Sequence, residues 1–336
     1  MVFLIQQTLL FAVPLMIVAL AGVCAERSGV INLALEGIMI FGAFIGVLFI
    51  RIMQDLNLFD KEEGQILLLL TLLVSAVFGG LFSLLLAFSA INLKADQTIG
   101  GTALNMLAPA VVLFFIVLIA QQNTLGMSKG SAAGWFMIRP STFGLPKDYS
   151  WGFLGDLILN KVYLSTYICI LVFIAVSVIL YKTRFGLRLR ACGENPQAAD
   201  SLGINVYKMR YAGVILSGVL AGLGGFNYAL TTAGCSATGA VAGYGFLALA
   251  VMIFGNWTPL NIAAGGLLFG LFKCIAATYS TLDINGDGVY MLAEIGISPY
   301  IYRMLPYVIT LVVLAFTSKK SRVPKAEGIP YDKGQR

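Results

Sequence analysis

Residues 181–210 read YKTRFGLRLRACGENPQAADSLGINVYKMR, a polar island in a chain that is otherwise mostly apolar. The island holds Lys182, Arg184, Arg188, Arg190, Lys208 and Arg210 against two acids, Glu194 and Asp200. Its centre, residues 193–203, carries the marks of a short capped helix. Asn195 suits the N-cap, where a side-chain oxygen takes an orphan backbone N–H. Pro196 suits the first helical position, which needs no N–H. Gly203 suits the left-handed residue that closes a helix. A helix of about two turns is therefore expected between two hydrophobic spans, at the face of a membrane. Two readings stay open: a loop that only sets topology, or a docking helix for a cytosolic partner.

Working outward, hydrophobic residues make up 59% of the 336 and charged residues 11%, with a mean hydropathy of +0.88. A soluble chain of this size cannot cover itself with so little charge, so the sequence predicts an all-α polytopic membrane protein. The net charge of +6 is no nucleic-acid signal, because the basic residues fall in two clusters beside apolar spans. The second cluster is the tail after Phe316: Lys319, Lys320, Arg322, Lys325, Lys333 and Arg336. The chain has no histidine, which removes the commonest general base and metal ligand. Cys24, Cys169, Cys192, Cys235 and Cys274 are scattered without paired spacing and read as small membrane residues, not as a disulfide framework or metal site. The first span lacks a basic leader and a cleavage site and is expected to be retained.

Apolar segments are expected over residues 2–24, 30–50, 65–91, 97–120, 162–180, 211–230, 240–256, 260–279 and 301–316. Two of these lie near the minimum for a span, about 17 residues, so the expectation is eight to ten transmembrane helices. Residues 51–64, 121–160 and 281–300 fall outside, and Lys94 marks an inside turn. Both basic clusters then face the cytoplasm, with the N-terminus outside and the C-terminus inside. The chain divides into a transmembrane domain, residues 1–317, interrupted by the 182–210 loop, and a basic cytoplasmic tail, residues 318–336. Glycines Gly243, Gly245 and Gly255 mark the 240–256 segment as broken or re-entrant. An internal repeat is visible: LALEGIMIFG at 33–42 matches LALAVMIFG at 247–255 with one gap. The two copies run in opposite directions in this topology, the mark of an inverted repeat, which places a substrate path near the bilayer midplane.

Ionisable groups inside the bilayer are expensive and therefore informative. Glu36 and Lys273 lie well inside apolar runs; they either pair with each other or line a pathway. Asn32 shares a helix face with Glu36. Gln97, Thr102 and Asn105 share one side of their span, and Asn227, Tyr228, Thr231 and Thr232 end another. These uncharged groups either bind a hydroxyl- or amide-bearing solute or serve as interhelical glue. Asp283, Asn285, Asp287 and Glu294 fit the spacing of a calcium loop, with Tyr290 where an aliphatic residue is usual; the alternative is an acidic outside turn. No catalytic triad, paired catalytic carboxylates or GxxxxGK[ST] loop is present, so no cofactor or catalytic residue is expected, and energy from nucleotide must come from another chain.

Three stretches, AERSGVINLALEGIMIFGAF, ACGENPQAADSLGINV and GIPYDKGQR, resemble the permease subunits of bacterial ABC importers of the branched-chain amino acid/simple sugar group. Within that group the chain looks most like nucleoside permeases that work with a basic-membrane-protein-type lipoprotein. AERSGVINLALEG carries this where ribose-type permeases show GGIDLSVG, together with DQTIGGTALN before the fourth span. The resemblance implies a coupling helix seated in a cytosolic ATPase, with Gly193, Glu194, Asn195, Ala198, Ala199 and Gly203 in its motif and ATP bound by that partner. It implies a second homologous permease chain, an extracytoplasmic lipoprotein that delivers a small solute, and a location in the bacterial plasma membrane. It places Asn32 and Glu36 near the pathway, to which the polar faces above add Thr102, Asn105 and Asn227. Nucleosides are the expected solute; a monosaccharide permease and an ion-coupled secondary transporter are the alternatives. Lys273 and the DINGDG loop depart from the family's pattern.

Overall fold

The computed structural model describes residues 2–140, 152–279 and 322–333, with separate positions at 146, at 298 and between 300 and 311. The Asp283–Glu294 stretch and half of the expected 301–316 span lie outside the described residues. Seven helices among them are long and apolar enough to cross a bilayer, the geometry expected when no water is present to satisfy exposed backbone. They are α1 (Val2–Glu26), α2 (Leu35–Asp55), α3 (Gly64–Ala87, continued by a π turn, Phe88–Asn92), α4 (Gln97–Ala120), α7 (Leu164–Lys182), α10 (Val206–Thr231) and α12 (Pro259–Thr278). Between α4 and α7 lie the short helices α5 (Ala132–Trp135) and α6 (Gly152–Leu159). The protein is an all-α polytopic membrane protein.

Helices α1 and α10 are the most enclosed, whereas α4 is mostly exposed. Helix α10 packs along α3, α1 and α2. The contact is made by small residues: a Cβ on Gly42 would meet Gly222, and one on Gly79 would meet Gly218 and Gly222. Close backbone approach of this kind replaces the hydrophobic drive that lipid does not supply.

The two ends of the bundle differ. At one end, two small antiparallel pairs tie the loops: β1 (Leu125–Gly126) with β4 (Ser236–Ala237), and β2 (Met137–Ile138) with β3 (Val162–Tyr163). There Gln54 accepts from the backbone of Ser128 and Lys129. The other end carries the island, which forms two helices, α8 (Arg184–Glu194) and α9 (Pro196–Ser201). The sequence points to α9 but not to α8, whose N-cap is Thr183, its hydroxyl accepting from Gly186 N. All five cysteines are free and buried.

Candidate functional site

The expected broken segment is real and short. Helix α11 (Tyr244–Phe254) has 11 residues, about 16 Å, or half a bilayer. It starts beside Glu36 and runs to the island end, where Trp257 Nε1 donates to Glu26 at the end of α1. Helix α2 starts at the same level and runs the other way, towards Gln54 and its loop partners. The two copies of the sequence repeat thus run antiparallel from one junction, the first at the head of the full-length α2 and the second in the short α11.

Glu36 is the clasp of that junction. Gly243 N donates to its Oε1 at 3.0 Å and Gly245 N to its Oε2 at 2.6 Å. The carboxylate takes two of the orphan donors that open α11, an arrangement that also suits the positive end of the helix dipole. Lys273 lies nearby: its Nζ donates to Ala242 O at 3.4 Å and sits over the Tyr244 ring. Backbone N–H groups hold the Glu36 carboxylate directly, and the Lys273 charge acts on it as well.

Residues 27–34 are unwound between α1 and α2, so their polar backbone needs partners inside the protein. The end of α1 and the stretch itself supply most of them, and helix α4 adds two and reaches into the first turn of α2. Ile31 N donates to Gln97 Oε1 at 2.7 Å, Asn105 Nδ2 donates to Leu33 O at 2.7 Å, and Gly37 N donates to Asn105 Oδ1 at 2.8 Å. Asp96 caps α4 itself by accepting from Thr98 and Ile99. The polar opening of α4, DQTIGGTALN, is therefore a rail for the break.

A groove of about 450 Å³ opens beside the junction, lined by Glu36, Thr102, Asn105, Pro109, Gly243 and Phe246 among others. Its walls are largely apolar with a few polar groups, as in solute sites generally. Thr102, Met106 and Phe246 leave it open along one side of the bundle. Three of the five expected pathway residues, Glu36, Thr102 and Asn105, come together here. The other two sit between helices: Asn32 donates to Ser217 Oγ at 2.8 Å, and Asn227 accepts from Ser165 Oγ at 2.7 Å. Gly243 and Phe246, which sequence reasoning did not single out as lining residues, complete the wall.

At the island end, α9 has the caps expected of it. Asn195 Oδ1 accepts from Ala198 N at 3.0 Å. Gly203 adopts φ +80°, with Ile204 N bonded to Ala199 O and Gly203 N to Asp200 O, a Schellman closure. Pro196 and Ala199 face inward, while Gln197, Ala198, Ser201 and Leu202 face out. Leu202 is 82% exposed, an apolar tip that composition alone does not single out. Gly193 lies against the Arg27 carbonyl, with no room for a side chain, and Glu194 pairs with Arg27 at 3.5 Å. The tail returns to the same place: Ala326 N donates to Gly193 O and Gly328 N to Gly29 O. The three stretches that carry the family resemblance, far apart in the chain, therefore meet at one end of the bundle.

Seven apolar helices, a broken-helix junction inside the bundle and a capped helix at one end define a multi-pass membrane protein. Residues 4–314 match the family described as the permease component of the branched-chain amino acid transport system, and the chain belongs to that family. It is 39% identical over 333 residues to the nucleoside ABC transporter permease protein NupC of Lactococcus lactis subsp. cremoris (strain MG1363), covering 99% of this chain and 97% of the relative. It is 40% identical over 342 residues to the guanosine ABC transporter permease protein NupQ of Bacillus subtilis (strain 168), with the same coverage. A second Lactococcus lactis protein, the nucleoside ABC transporter permease protein NupB, is 23% identical over 329 residues, covering 97% of this chain and 83% of the relative. No solved structure matches the chain.

Proposed function

We propose that the chain is the membrane permease subunit of an ATP-driven importer that moves nucleosides inward across the plasma membrane. The observation that carries the energy coupling is α9: a helix capped at both ends and displayed with an exposed apolar tip at the basic end of the bundle. By the positive-inside rule this end, with the C-terminal tail, is cytoplasmic. A separate ATP-binding subunit docks there and holds the nucleotide; the permease contributes no catalytic group and no cofactor. The solute assignment is supported by full-length likeness to relatives named for nucleosides and guanosine. A monosaccharide solute has less support, because the two relatives named above, near 40% identity, carry nucleoside and guanosine names.

In this reading Glu194, Asn195, Ala198, Ala199, Gly193 and Gly203 build the dock, and the Glu36 junction is the movable part of the path. The open groove offers an apolar and aromatic wall for a base and the Thr102 hydroxyl for a sugar. A second permease chain facing the groove closes it; the two distinct Lactococcus lactis relatives, both named nucleoside permeases, support a pair of unlike chains. A substrate-binding lipoprotein delivers solute at the opposite end. Asn32 and Asn227 act behind the wall as helix brackets.

Reconstituting the chain with its ATPase, second permease and binding protein tests the proposal. Guanosine and uridine should enter in an ATP-dependent manner, and ribose and galactose should not compete. Leu202→Asp with Ala198→Arg should abolish co-purification of the ATPase and uptake while membrane insertion stays normal. Normal transport in that variant would reduce α9 to a topology signal. Uptake that survives loss of ATP but not collapse of the proton gradient would replace the importer by an ion-coupled carrier.

A further inference from the structure

The segment 322–333 is short and has no regular secondary structure, yet it reaches several elements at the island end. Arg322 N donates to Asn256 Oδ1 at 2.7 Å, just past α11. Ala326 N reaches Gly193 O at 2.9 Å on α8. Gly328 N reaches Gly29 O at 3.2 Å, inside the break between α1 and α2. Arg210, buried at the start of α10, donates from Nη1 to Ile329 O at 2.9 Å. Asp332 pairs with Lys94 at 2.8 Å on the turn before α4.

The most consequential contact is under α9. A six-residue helix is not stable alone, because nucleation costs more than so few hydrogen bonds return. Its floor is a small core apart from the main one: Cys192, Ala199, Val206 and Tyr331. The tail supplies one of those four residues, and the Tyr331 ring also meets Tyr207 edge to face at 5.3 Å. The same strand of tail, three residues earlier, is bonded to Gly29. Gly29 is followed by Ile31, held by Gln97, and then by Leu33 and Glu36 at the groove. A continuous set of packed and hydrogen-bonded groups thus joins the underside of α9 to the Glu36 junction.

We propose that residues 322–333 are a working part of the coupling element: the strap positions α9 and carries its displacement to the α1–α2 break. This rests on the reading that α9 docks an ATPase. Tyr331 and Asp332 are positioning residues and touch no solute.

The test uses the complete complex in proteoliposomes, with ATP hydrolysis, guanosine uptake and ATPase co-purification read together. Tyr331→Ala should keep the ATPase bound but lower solute moved per ATP by about tenfold, the scale of a coupling change of 1–2 kcal/mol. Tyr331→Phe, which keeps the ring, should restore it. Lys94→Asp and Asp332→Lys, both at exposed positions, should each lower that ratio by up to about threefold, and the double swap should recover it. Unchanged transport per ATP in Tyr331→Ala overturns the proposal. Should that variant fail to insert, the charge swap decides, and wild-type ratios in both single variants overturn it. Leu202→Asp in the same assay separates the two ideas. Its loss of transport beside a normal Tyr331→Ala refutes the strap alone, whereas normal transport in Leu202→Asp refutes the dock on which it rests.

Discussion

Replacing Asn105 by leucine keeps the branched shape of the side chain and removes both of its hydrogen bonds. Gly37 N and Leu33 O then lose their partner in the first turn of α2 and in the unwound stretch before it. Side-chain hydrogen bonds between membrane helices average about 0.6 kcal/mol and reach about 1.7. The loss of a helix cap costs about 1 kcal/mol. With both groups turned inward, the expected cost is about 2 kcal/mol, a factor of about 30 in the folding equilibrium. Titration with SDS in mixed micelles measures it, alongside the KM for guanosine uptake in the reconstituted complex. The expected result is a destabilised protein whose KM changes less than its active fraction. A variant as stable as the parent within about 0.5 kcal/mol, with KM raised tenfold or more, would refute the bracket and make Asn105 a direct solute contact.

Glu36→Ala should lower uptake by more than about tenfold, because two N–H groups at the start of α11 lose their acceptor inside the membrane; Glu36→Gln, which keeps one acceptor, should retain part of it. Gly203→Val should weaken ATPase co-purification by about tenfold, since a left-handed φ costs a β-branched residue roughly 1–2 kcal/mol and a Cβ there meets nothing, leaving the backbone as the only cause. Gly203→Asn should be milder. Glu327, beside Glu26 and Arg27, is pushed up to about 7 by burial, with Arg27 pulling it back. The docked tail therefore binds this proton more tightly than the free tail, and docking weakens as pH rises from the usual carboxylate range to about 7. Hydrogen exchange over residues 322–333 should speed up from pH 5 to pH 8 beyond its intrinsic rate, and Glu327→Gln should flatten that excess.

The spans, their order and the caps of α9 were legible because each depends on a few neighbours in sequence. Asn195, Pro196 and Gly203 state a helix's start and stop within nine positions. The relation between α2 and α11 was visible because LAL and MIFG recur. Helix α8 was not read, although Thr183 is a good N-cap, because its arginines dominate the pattern and read as a topology signal. The partners of Glu36 and Asn105 were out of reach for a different reason: Gly245 lies 209 residues from Glu36, and Leu33 lies 72 residues from Asn105. Both partners are backbone groups, which leave no trace in side-chain identity. The polar residues on α4 could thus be placed on one face, but not assigned between solute and scaffold. The meeting of AERSG, GENP and GIPYD is likewise a product of the fold.

The five buried cysteines have a practical consequence for spectroscopy. Cys192, the one on the island helices, has its thiol pushed up to about 11 by burial, so little of it is thiolate at neutral pH. A single cysteine introduced at an exposed position such as Gln197 or Leu202 would then take up a maleimide fluorophore far faster than any native thiol. Distances across a working transport cycle become measurable without first stripping the chain of its own sulfur.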